Sequence, residues 1–251
     1  MLVDLQSIMT IWYKQLIIFA CPLSLAVALV LQPTAVASEF SVVREFTESE
    51  SLSEYPRLLK EYGSNKTLPL GYELQTLIAL SHYPELKNTQ IRFILADVGI
   101  PLSSRPHWSS MLRSAGHREY RVIIDTELEG IRQALLLKNQ PFNAQIGIIG
   151  HELAHTVYYL ERSFFGILAD AACQLSSCRI GFERATDTRL IHYGLGWQRY
   201  DHALFVRSRL NSNSETISSS SGSGGAYMSP NELMSIMEQN SIYGLSTTQT
   251  D

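Results

Sequence analysis

The stretch "IGIIGHELAHTVYYL", Ile146–Leu160, carries two histidines four residues apart, with a glutamate directly after the first. The other positions are apolar or uncharged and no proline interrupts them, so the segment reads as a buried helix. On a helix, His151 and His155 project from one face. Two imidazoles so placed can chelate one tetrahedral zinc ion. Glu152 lies about 100° round the helix, near such a metal without competing as a ligand. There it is placed to take a proton from a zinc-bound water. Gly150 costs a helix about 1 kcal/mol relative to alanine, which predicts another backbone passing close to it. The alternative is a pair of hydrogen-bonded core histidines beside a surface glutamate, which leaves three polar groups clustered in an apolar segment without compensation.

A catalytic zinc needs a third protein ligand and one open position. A metzincin continuation would require glycine at Tyr158 and histidine at Glu161. An aspartate ligand followed three residues later by tyrosine-glycine fails as well, because Tyr193 and Gly194 lie too far from Asp187. The segment "FERATDTRLIHYG", Phe182–Gly194, fits better. Glu183 and Asp187 are an i, i+4 pair on one helix face, 28 residues after His155. Glu183 can bind the metal while Asp187 accepts the second N–H of a ligand histidine. The competing reading is a solvated acidic edge beside Arg184 and Arg189. His192, Tyr193, His202 and Tyr158 are candidates, by proximity in sequence alone, for the donor that a tetrahedral intermediate requires.

"GHELAH" followed by "ERATD" resembles the gluzincin branch of zincin-type metallopeptidases, whose pattern is H-E-x-x-H followed by E-x-x-x-D. The resemblance runs from Ile146 to about Gly194; elsewhere the chain is only loosely similar to small exported bacterial peptidases of unassigned function. It implies an α+β, zincin-like fold: a small mixed sheet over an active-site helix, with a second helix bringing the glutamate. It also implies one catalytic zinc held by His151, His155 and Glu183, with Glu152 as the base and Asp187 orienting His151. The activity implied is hydrolysis of a peptide or protein. Two other classes share parts of this pattern. A non-catalytic, zinc-stabilised envelope protein has no need of Glu152. A zinc hydrolase of a non-peptide amide, such as a cell-wall crosslink, uses the same activation of water.

The rest of the 251-residue chain supports an exported protein with one main domain. Lys14, the apolar run Leu16–Leu31 and the small-x-small "AVA" at Ala35–Ala37 form a signal-peptide pattern over residues 1–37. A start at Met9 would remove the unusual leading residues. The location expected is periplasmic or extracellular; the alternative is a membrane anchor through residues 16–31, although sixteen residues is short for a span. Export leaves Cys173 and Cys178 five apart, able to close a small disulfide loop or to sit as separate core residues. A net charge of −4 argues against a nucleic-acid partner.

Residues 38–210 are expected to form the peptidase domain. "SEYPRLLKEYG" predicts a short helix with Pro56 in its first turn, and a second helix is expected from Gly71 to Ser81. "IRFILADVGI" and "REYRVIID" read as strands, with a long loop, "PLSSRPHWSSMLRSAG", between them. The strand "YRVIID" is expected at the sheet edge, where an extended peptide could add to it. Asn143 is expected to cap the histidine helix. Residues 211–225 read as a flexible Ser/Gly-rich linker. The tail 226–251 follows, with a capping box at Ser229–Glu232 opening a short amphipathic helix that carries Leu233, Met234, Ile236 and Met237.

Overall fold

The computed structural model describes residues 42–174, 178–211 and 227–245. The expected signal segment and the expected linker beyond Asn211 lie outside the described residues. In chain order the elements are α1 (Glu48–Ser51), α2 (Tyr55–Tyr62), β1 (Lys66–Thr67), α3 (Glu73–Ser81), β2 (Gln90–Ala96), β3 (Leu102–Pro106) and β4 (Glu119–Asp125). They are followed by α4 (Phe142–Leu160), α5 (Phe164–Gln174), α6 (Cys178–His192), α7 (Gly196–Asn211) and α8 (Pro230–Glu238). The class is α+β. Among the described residues no helix is long and apolar enough to cross a membrane.

Among the described residues the strands form one mixed sheet in the order β1-β2-β4-β3. β1, β2 and β4 run parallel, and β3 is antiparallel to β4, Ser104 lying opposite Val122. β4 is therefore central, paired on both sides, and is not the edge expected for "YRVIID". Its buried run Val122–Asp125 is what a strand covered on both faces requires. The edges are β1 and β3, and β3 lies inside the segment expected to be a loop. Its polar Ser103 and Ser104 and its terminal Pro106 hide it from a search for β-branched alternation. All three are tolerated at an edge, where one row of backbone groups has no ladder to complete.

α4 is the hub of the fold. It packs on β3, α3, α6 and α7, and its residues are buried almost all round. It begins one residue earlier than expected, at Phe142, and Asn143 does not cap it. The Asn143 side chain instead accepts from the Phe46 backbone N–H (2.9 Å) and from Gln198 (3.1 Å), and donates to Asp201 (2.6 Å). Tertiary partners have outcompeted the local cap and tie the N-terminal residues to α7. Similarly, α3 begins at Glu73 and not at Gly71, whose φ of +84° is left-handed.

The close approach expected at Gly150 occurs one turn earlier. A Cβ on Gly147 would meet the backbone of Gln198 and Arg199 in α7, whereas Gly150 makes room for the Leu195 side chain and receives the Tyr83 hydroxyl on its carbonyl (2.7 Å). Gly147→Ala is therefore expected to destabilise the protein by about 2–3 kcal/mol through overpacking that backbone cannot relieve. Gly181→Ala on α6, where nothing lies within 4 Å, should stabilise it by up to about 1 kcal/mol through helix propensity. Thermal unfolding of the two variants checks this; equal melting temperatures would remove the tight α4–α7 crossing from the account.

Residues 227–245 belong to the same packed body. The Ser229–Glu232 capping box forms in both directions, and Leu233 and Met237 are fully buried. Tyr243 locks the far end, its hydroxyl donating to Ile191 O (2.7 Å) and accepting from the Gly196 N–H (2.8 Å).

Candidate metal centre

α4 and α6 face one another so that His151, His155 and Glu183 converge, all buried. His151 Nε2 lies 3.1 Å from His155 Nε2 and 3.1 Å from Glu183 Oε2, and His155 Nε2 lies 3.3 Å from the same carboxylate oxygen. A tetrahedral ion with bonds of about 2.0–2.1 Å places its ligand atoms about 3.3 Å apart. The three atoms thus form one face of such a tetrahedron.

The outer ring nitrogens show how these three atoms could hold a cation between them. His151 Nδ1 bonds to Asp187 Oδ1 (2.8 Å), and an ionised carboxylate only accepts, so Nδ1 carries the hydrogen. The Thr186 hydroxyl donates to Phe182 O (3.0 Å) and is left to accept from His155 Nδ1 (3.2 Å). In neutral imidazoles both Nε2 atoms then direct lone pairs into the group, against a third from Glu183. Phe182 stacks on His155 at 5.0 Å and sets its ring plane.

Asp187 is a node. Besides His151 it receives Arg199 Nε on Oδ1 (2.7 Å) and the Met228 backbone N–H on Oδ2 (3.1 Å), with no solvent exposure. Burial alone would raise its pKa, but the Arg199 charge and then His151 hold it well below the usual carboxylate range. Glu183 is held low in the same sense, burial being outweighed by hydrogen bonds to His151 and His155. Burial pulls His151 down, yet Asp187 and Glu183 together carry it up to about 9, so the protein's own charges favour positive charge at this point. Glu152 is buried beside the group, and burial shifts its pKa upward against the pull of His155 and His151. A carboxylate so shifted is a better proton acceptor.

The five residues of the two motifs are thus brought together, and the solvated-edge reading of Glu183 and Asp187 is excluded by their burial. Arg184 turns instead to Glu232 on α8, and Arg189 lies over the Tyr158 ring. None of the four expected donors is hydrogen-bonded to the three converging ligands among the described residues. His192 is exposed and donates to Thr188 O (2.8 Å), and the Tyr193 hydroxyl donates to Glu85 (2.7 Å). His202 is buried against Gln140, and Tyr158 stacks with Arg162. Cys178 is disulfide-bonded; the side chain of Cys173 lies outside the described residues.

Two residues at the site were missed by sequence reasoning. Arg199 follows Asp187 by twelve positions on a different helix, a spacing with no periodic meaning. Tyr227 lies past the low-complexity stretch, edge-on to His151 with ring centroids 5.6 Å apart and beneath the Arg199 guanidinium at 5.4 Å. Burial, with Glu183 and Glu152 nearby, pushes its phenol up to about 12. The one available signal was its place immediately before a strong capping box, which marks the return of ordered chain.

No protein-family model matches the chain, and neither the curated proteins nor the solved structures contain a significantly similar one.

Proposed function

We propose that the protein is a zinc-dependent hydrolase of peptide bonds, built on the zincin-like pattern of a gluzincin. The observation that carries this reading is the triangle of His151, His155 and Glu183 ligand atoms, with 3.1–3.3 Å edges. Two imidazoles and a carboxylate suit zinc, and three protein ligands leave the fourth position that a catalytic site keeps open. When bound, zinc lowers the pKa of water and polarises a carbonyl as a Lewis acid.

The chain's own residues supply the rest. Glu152, one position along from His151, takes the proton of the attacking water and returns it to the leaving amine. Asp187 keeps hydrogen on Nδ1 of His151, so that Nε2 stays a ligand. Phe182 and Thr186 fix the ring of His155. β3 ends the sheet order and packs along α4, with Ser104 Oγ 2.8 Å from Thr156 Oγ1 on that helix. An extended substrate pairing along Leu102–Pro106 would lie over the helix that carries the histidines. The peptide-adding edge is thus assigned to β3 in place of β4.

The test is metal removal. Purified protein should contain close to one zinc per chain and cleave an unfolded protein substrate. Chelation should stop cleavage, and added zinc should restore it. Stoichiometric zinc without cleavage of unfolded protein would favour a structural zinc or a non-peptide amide substrate, and purified wall fragments would separate those two.

A further inference from the structure

Hydrolysis by attack of water places negative charge on the carbonyl oxygen, and rate depends on a donor waiting for it. Around the ligand group most donors are committed. His151 Nδ1 and Arg199 Nε give theirs to Asp187, Thr186 to Phe182, His202 to Gln140, and Tyr193 to Glu85. Tyr227 differs. Its ring stands edge-on to His151, and its hydroxyl donates to none of the described residues. The phenol therefore keeps its own hydrogen to give.

The residue is also held in place. Immediately after it, the Met228 N–H is fixed on Asp187, and Arg199 sits over its ring. Three residues on, α8 begins, anchored by its capping box and by the burial of Leu233 and Met237. A tyrosine side chain so constrained is preorganised, which is what makes an oxyanion donor effective.

We infer that Tyr227 is a catalytic residue, its hydroxyl donating a hydrogen bond to the substrate carbonyl oxygen as that oxygen becomes an oxyanion. This rests on the hydrolase reading above. It means that the C-terminal segment, separated from α7 by fifteen residues outside the described ones, completes the active site.

The experiment compares the full chain with its Tyr227→Phe variant, using a quenched fluorescent peptide that the wild type cleaves and a phosphinate analogue of that peptide as a mimic of the tetrahedral intermediate. The variant should keep its zinc content and melting temperature, lose about 100-fold in kcat with KM nearly unchanged, and bind the phosphinate weaker by a similar factor. An unchanged kcat, or a fall in kcat that only tracks lost zinc, overturns the assignment of Tyr227 and leaves the hydrolase reading standing. A wild type that carries zinc yet cleaves neither peptide nor unfolded protein overturns the hydrolase reading itself, and the inference with it.

Discussion

Glu152→Gln should lower kcat by about 10³- to 10⁴-fold, the upper range for loss of a general base, while the zinc content stays at the wild-type level. Glutamine keeps the shape of the side chain but cannot accept a proton at that position. Because Glu152 is not one of the three converging ligands, the metal should not notice the change. The paired measurement matters because it separates two ways of losing activity. Loss of zinc together with activity would show that Glu152 ligates or supports the ion. Full activity with full zinc would mean that another group takes the proton, and the mechanism above would fall.

Glu183→Ala should abolish stoichiometric zinc binding. Two imidazoles remain, but the carboxylate oxygen that closes the triangle at 3.1 and 3.3 Å is gone. Asp187→Asn tests the layer behind it, with a smaller expected effect on the ion and a larger one on the fold. Loss of a carboxylate partner to a ligand histidine typically costs 10- to 100-fold in metal affinity. The same substitution leaves Arg199, 2% exposed, as a buried charge without its counter-charge, an arrangement that costs about 3–5 kcal/mol. Competition with a zinc chelator and denaturant unfolding read the two effects separately. If Glu183→Ala keeps its zinc at wild-type affinity, the third ligand has been assigned to the wrong residue.

Much of this centre is legible in the sequence, and the reason is geometric. His151, Glu152 and His155 share one helix, as do Glu183 and Asp187, so each set is fixed by a local repeat that needs no knowledge of the fold. Asn143 shows the limit of local rules: it has the chemistry of a cap, but partners from Phe46, Gln198 and Asp201 take its side chain. β3 shows another, since an edge strand escapes the demand for apolar alternation that makes β2 and β4 visible. Arg199 and Tyr227 mark the third. Their meaning lies in contacts with Asp187 and His151 across twelve and seventy-six residues of chain, and no periodicity encodes such distances.

Asp187 gathers hydrogen bonds from α4, from α7 and from the segment that enters α8. These three pieces of chain are widely separated in order of synthesis, and the last of them is made after all the others. The aspartate therefore behaves as a coincidence detector for assembly: the His151 imidazole is fully braced only once the distant pieces have met. If the protein cuts other proteins as proposed, that competence belongs to the finished fold and not to either motif, a safeguard against a half-made chain acting on its neighbours.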